Sequence, residues 1–179
     1  DDGMHYELSP SYHNSVAEDL LCIRRSFNCF CIDVNPKITK EIKNKIDFVL
    51  RKMYSVILRL THPDGYPSLF SDGGLNSCTK PLIIAKKIKD VLDISDDLAN
   101  LNNLNVWKLE ASGFYGLRFK ENCFITKCGN LGADSLPAHG QADSLSFEWS
   151  VEGSRIIVDQ GVLTYHPGKD RDFSRSTNS

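Results

Sequence analysis

The sequence predicts an α+β chain in two parts, the tail of an all-helical domain over residues 1–103 and the start of an all-β domain over residues 104–179. Two observations carry this expectation. Apolar residues recur every three or four positions through the first hundred residues and every second position beyond Asn103, so the period falls from about 3.6 to about 2 near one point of the chain. Neither block closes: three helices and about six strands, kept apart in sequence, make neither a complete helical domain nor a complete sandwich.

The first helix is announced by Ser9-Pro10, an N-cap residue followed by proline at the first helical position, and Val16, Leu20, Ile23 and Phe27 form its apolar face. Asn35-Pro36 repeats the device. Behind it Ile38, Ile42, Ile46, Val49, Leu50, Met53, Ile57 and Leu60 make one apolar stripe, with Lys40, Lys43, Lys45 and Lys52 outward as a solvated face. A third helix over residues 81–92 rests on Ile84, Ile88, Val91 and Leu92. Between these last two, residues 62–74 are too rich in glycine and proline for regular structure and form a long loop, a candidate site wall.

Further on, residues 114–119 and 123–126 read as strands, and Leu145, Phe147, Trp149 and Val151 alternate with Ser146, Glu148, Ser150 and Glu152. The apolar four are expected to face the core. A two-residue turn at Glu152-Gly153 would then set Trp149 opposite Ile156, Phe147 opposite Val158 and Glu148 opposite Ile157.

Composition narrows the function. With 179 residues, 41% hydrophobic and 25% charged, the chain is of ordinary globular make. Its 21 basic and 23 acidic residues leave a net charge of -2, which supplies no general drive toward nucleic acid or anionic membranes. A polyanion could be held only by a local cationic site. No apolar run approaches the ~18 residues of a membrane span. The chain starts at Asp1 with no leader and so reads as processed, trimmed or a fragment. Six cysteines at irregular spacing, without a C-x-x-C pair, are expected to be buried free thiols rather than a zinc knuckle or a disulfide framework.

Three places could carry chemistry. Tyr12 lies in the first turn of the first helix, where unpaired N–H groups and the helix dipole place positive potential, a setting in which a phenol can exchange a proton with a substrate. Its neighbour His13 points elsewhere on a helix. Residues 136–143, if extended, would put His139, Gln141 and Asp143 on one face, offering an acid or base, an amide and a carboxylate just before the most apolar strand. Asp159 ends the run Arg155-Ile-Ile-Val158, as a carboxylate at a strand end. Each has an ordinary structural alternative: an interface tyrosine, a self-satisfied turn, a strand-end cap.

Together these residues match a known pattern. Asp2-Gly-Met-His-Tyr-Glu-Leu-Ser-Pro-Ser-Tyr-His13, His62-Pro-Asp-Gly65, Ala111-Ser-Gly-Phe-Tyr115, the long block LPAHGQADSLSFEWSVEGSRIIVDQG over residues 136–161, Thr164-Tyr165 and Arg175-Ser-Thr177 resemble, in order, the heparinase II/III family of polysaccharide lyases. The resemblance implies an incomplete (α/α) toroid followed by an antiparallel β-sandwich, with an acidic polysaccharide bound in the cleft between them. It implies Tyr12 as base and acid at the sugar ring, and His139 as second base or partner of the substrate carboxylate. Glu7, His13, Gln141 and Asp143 would bind substrate or orient these groups. Asp159 matches an aspartate that in some members holds a divalent metal, usually zinc. The histidine expected beside it in that site is Gln141 here, and an amide oxygen is a poor zinc ligand. No cofactor is therefore required, and a structural zinc or calcium ion is the lesser expectation.

The resemblance also implies a periplasmic or secreted enzyme. It places a carboxylate-neutralising residue on an earlier helix, and a His-Asn-Thr element after the last serine, both outside these residues. The glycan could be heparin-like, alginate-like or a capsular uronan. Two rival readings stand beside the lyase: a non-catalytic carbohydrate-binding or assembly protein on the same scaffold, and a metal-dependent hydrolase using His139, Asp143 and Asp159.

Overall fold

A computed structural model describes residues 1–29, 35–95, 104–135 and 138–176. Its elements run α1 (Pro10–Cys29), α2 (Pro36–Arg59), α3 (Pro81–Leu92), β1 (Asn105–Leu109), β2 (Phe114–Phe119), β3 (Asn122–Lys127), β4 (Phe147–Val151), β5 (Ser154–Ile157) and the short α4 (Lys169–Ser174). The fold is α+β, with an antiparallel sheet in the order β1-β2-β3-β4-β5. The expected helix-to-sheet boundary at residues 103 and 104 falls where the described residues resume, and Cys31 and the side chain of Cys29 lie outside them.

Each long helix starts at its proline. Asn35 caps α2 by accepting from Lys37 N–H at 3.0 Å. Ser9 does not cap α1 in this way: its hydroxyl is buried without a hydrogen-bond partner among the described residues, and only its carbonyl serves, accepting from His13 N–H. Ala17 and Leu21 of α1, Leu50, Met53 and Ile57 of α2, and Ile84 and Ile88 of α3 close one core. The α2 stripe is buried only in its second half. Ile38 and Ile42 are exposed, and so is Val49 just past the midpoint; burial against α1 and α3 begins at Leu50.

A second core joins helix to sheet. Val56 and Leu60, on the side of α2 turned from the first core, meet Phe70, Trp107, Leu109, Phe114, Cys123 and Ile125. Fully burying a side chain of this size contributes ~1.5–3 kcal/mol, so the end of α2 is held from both sides. Of the cysteines the structure describes, all are free, but only Cys123 is buried; Cys22 and Cys128 are exposed, against the expectation of burial.

The β4 strand faces the opposite way from the sequence expectation. Glu148 and Ser150 point inward and are fully buried, whereas Leu145, Phe147 and Trp149 are exposed. The physical reason is a polar partner far away in sequence. His62, at the start of the 62–74 loop, inserts between them, with Nδ1 2.6 Å from Ser150 Oγ and Nε2 2.6 Å from Glu148 Oε2. Glu148 Oε1 also accepts from Leu69 N–H at 2.6 Å. Arg155 of β5 grips the same loop, binding both oxygens of Asp64 and the carbonyls of Tyr66 and Pro67. The Glu152-Gly153 turn forms as expected, both residues at positive φ, and pairs Val151 with Ser154 and Ser150 with Arg155. A bulge then slips the register, so Trp149 pairs with Ile157 rather than Ile156.

Candidate active site

The site is assembled where the N-terminal segment, the 62–74 loop and the chain after β3 converge. Asp2 ties down the first: its Oδ2 accepts from the N–H and the hydroxyl of Ser112, both at 2.9 Å, and Oδ1 from Met4 N–H. His13 then fixes the next turn. Its Nδ1 accepts from His5 N–H at 3.1 Å and its Nε2 donates to Met53 carbonyl at 3.2 Å. Complete burial pushes the His13 imidazole down to about 4, so it is neutral, as those two bonds require. His13 is buried and acts as a strut under the turn that carries His5 and Glu7.

Tyr12 and His139 come into contact across this junction. Their rings stack with centroids 3.8 Å apart and planes inclined by 26°. A stacked imidazole aims its nitrogens sideways, and here each meets a carboxylate: Nδ1 lies 3.3 Å from Asp72 Oδ2 and Nε2 lies 3.5 Å from Glu7 Oε2. Beside the pair opens a pocket of about 210 Å³ lined by Ser11, Tyr12, Ser15, Ser77 and Tyr165. His5 reaches Glu7 at 3.9 Å, and burial, with a smaller effect of His139, lowers its proton affinity despite Glu7.

Asp72 is the hub. Its side chain is fully buried, with Oδ1 accepting from Gln141 Nε2 and Oδ2 from Arg171 Nη2, both at 2.8 Å, and its carbonyl accepting from Tyr165 OH at 2.8 Å. Burial first, then Tyr12 and Asp72, push the Tyr165 phenol up. Ser71 and Asp72 are successive left-handed residues, at φ 56° and 59°, a conformation that costs roughly 1–3 kcal/mol each outside glycine and persists only where neighbours enforce it. Asp143 enforces it. Its Oδ2 accepts from the Ser71 N–H and hydroxyl, while Lys127, fully buried, binds both Asp143 oxygens at 2.7 and 2.9 Å. Gly73 lies so close to the Leu69 carbonyl, and Gly161 to the Gly73 carbonyl, that a Cβ at either would collide; this lets the chain after β5 lie against the loop.

The expected common face of His139, Gln141 and Asp143 is a series of turns instead. His139 and Gln141 do meet, on Asp72, while Asp143 diverges to Lys127 and Ser71. Asp159 spends Oδ1 on Gly161 N–H at 2.9 Å and Oδ2 on the Ser146 hydroxyl at 3.2 Å. Burial, the first cause, with Asp143 and Glu148 nearby, raises its proton affinity. Gln141 turns its NH2, which as an amide nitrogen carries no lone pair for a metal, to Asp72 and to the Gly161 carbonyl. These residues do not fit a zinc site, and among the described residues no group of three or more His, Cys, Asp or Glu side chains could hold a metal ion.

Sequence reasoning missed Asp72, Arg171 and Lys127, and took Tyr165 only as part of a resemblance. One signal was available: Asp72 precedes Gly73-Gly74 in the loop marked as a site wall, where polar residues adopt positive φ most readily.

Two family descriptions match the chain, the heparinase II/III N-terminus over residues 1–100 and the heparinase II/III-like C-terminal region over residues 102–179. No protein of curated function matches the sequence. Among solved structures, the heparan sulfate lyase HepC from Pedobacter heparinus superposes with a TM-score of 0.71 at 22% identity, over 97% of this chain and 28% of that one. A heparinase III gene product superposes with a TM-score of 0.64 at 20% identity, over 98% of this chain and 28% of that one. The chain thus spans about 28% of the length of the solved proteins it resembles.

Proposed function

The chain belongs to the heparinase II/III family, and from that premise we propose that it carries part of the active site of a polysaccharide lyase that cleaves a uronic-acid glycan by β-elimination. On this reading α1 to α3 are the end of an incomplete (α/α) toroid, the sheet is one layer of a β-sandwich, and the acidic glycan lies at their junction. Such polymers are met in the periplasm or outside the cell. No helix among the described residues is long and apolar enough to cross a membrane.

The observation that carries the reading is the Tyr12–His139 stack beside an open pocket. Elimination removes the proton on C5 of the uronate and expels the oxygen on C4, leaving a C4–C5 double bond. Tyr12 as base takes the C5 proton and as acid delivers it to the departing oxygen, a contribution of ~10²–10⁴-fold for a positioned acid–base group. His139 acts as second base or as partner of the substrate carboxylate, drawing charge from the ring as the proton leaves. Gln141 and Asp143 hold the wall on which His139 stands, and Glu7 meets its outer nitrogen. The elimination needs no metal, and Gln141 makes a structural hydrogen bond where some relatives place a metal ligand.

The test uses the full-length protein with heparan sulfate and with alginate. Steady growth of the ultraviolet absorbance of an unsaturated uronate, abolished by Tyr12→Phe with an unchanged circular dichroism spectrum, is the expected result. New reducing ends without that chromophore would point to hydrolysis. Glycan binding that survives Tyr12→Phe, with no product from the parent protein, would leave a binding protein on the lyase scaffold.

A further inference from the structure

We infer that Asp72 is a positioning residue of the elimination site, which holds the ring proton of His139 on Nδ1 and so presents Nε2 on the partly exposed side of the ring. The inference rests on the lyase reading for its effect on rate, but its geometric content stands apart from it.

Asp72 has no donor of its own while ionised, so a ring nitrogen facing it must carry the hydrogen. The Arg171 guanidinium Nη2 lies 2.8 Å from the same Oδ2 that faces His139 Nδ1, so a cation meets that oxygen beside the ring. Gln141 occupies the other oxygen, which stops the carboxylate from turning away. His139 and Gln141 come from one run of turns after β3, and Arg171 from α4. The backbone beneath is held in two successive left-handed residues by Asp143 and Lys127, groups too deeply buried to meet a glycan. A chain that bears this conformation at a fully buried acid beside the candidate reacting pair is aiming the acid rather than filling space.

The consequence lies on the opposite edge of the ring. With the hydrogen fixed on Nδ1, Nε2 is the nitrogen that exchanges a proton, or donates once the ring is charged, and it faces Glu7, whose side chain is about one-fifth exposed. The stacked Tyr12 ring fixes the plane. Asp72 sets the rotation within that plane and the tautomer, the part an orienting carboxylate plays for a catalytic imidazole in general.

Two variants of the full-length protein separate this from a merely structural role. Asp72→Ala removes the acceptor; Asp72→Asn keeps an acceptor oxygen and loses the charge. Long-range nitrogen–proton NMR, with the His139 signals assigned through His139→Gln, reads the tautomer directly. The parent is expected to show the Nδ1–H form, Asp72→Asn to retain it, and Asp72→Ala to lose it. With glycan, Asp72→Ala is expected to lower kcat by about 10²-fold with KM changed little, and Asp72→Asn to recover part of the loss. An Nε2–H tautomer in the parent, or a tautomer unmoved in a folded Asp72→Ala protein, overturns the inference. So does a kcat that Asp72→Ala leaves intact. A parent protein that makes no unsaturated product overturns the lyase reading instead, and the NMR result then still decides the tautomer.

Discussion

Two histidines are each held by a polar side chain at either ring nitrogen, and they differ in what can reach them. His62 sits between the Ser150 hydroxyl and the Glu148 carboxylate, and His139 between the Asp72 and Glu7 carboxylates. The contacts are alike; the access is not. The side chains of His62 and Glu148 are both 0% exposed, so the group joins α2 to β4 and meets nothing that arrives from outside. His139 keeps 15% of its side chain exposed and shows one face to Tyr12, which lines an open pocket. A hydroxyl, an imidazole and a carboxylate in line are therefore no sign of catalysis in themselves. Exposure of one edge is the difference between the two groups on which the role proposed for His139 rests.

Loss of each histidine is expected to have opposite effects on turnover and on stability. His139→Ala is expected to lower turnover by ~10²–10⁴-fold while moving the melting temperature little, measured by product absorbance and by thermal denaturation of the same preparations. His62→Ala should do the reverse and cost about 3 kcal/mol of stability, because it strips one partner from a fully buried carboxylate; chemical unfolding curves measure it.

A third histidine sharpens the contrast through pH. His13 has its proton affinity depressed from 6.5 to about 4 by burial, so the unfolded chain binds the proton first. Stability from this group is complete above pH 6.5 and falls as the pH drops toward about 4, by about 3 kcal/mol in all. Unfolding measured across that range in the parent and in His13→Gln, whose amide can keep both bonds without titrating, should show the steeper fall in the parent, the difference between the two slopes being the share of His13. At the small end, Lys86→Ala opens an exposed pair with Asp90, four residues on along α3, and should change stability by less than about 0.5 kcal/mol.

What could be read from the sequence follows the distance over which each choice is made. Pro10, Pro36 and Pro81 fix the helix starts locally, and all three stand at the first helical residue. The Glu152-Gly153 turn is equally local, and it forms. The burial of β4 is not local. Alternation correctly separates Phe147 and Trp149 from Glu148 and Ser150 but does not say which pair faces in, and that is decided by His62, which lies 88 residues before Ser150. The candidate site divides in the same way. Tyr12 and His139 stand out as chemically able residues at element ends, whereas Asp72 becomes important only through Gln141 and Arg171, 69 and 99 residues further along.

The sheet has a polar-and-apolar inner face and an apolar outer one, and the two tryptophans of the chain fall on different sides of it. Trp107, 7% exposed, belongs to the core shared with α2, while Trp149, 42% exposed, stands among Phe147 and Ile157 on the outer side. Fluorescence therefore has two separable emitters. A dissolved quencher such as iodide reaches the second and not the first, so the blue-emitting fraction that survives quenching reports the helix-to-sheet seam alone, and its loss on titration with denaturant times the parting of the two halves without any added label.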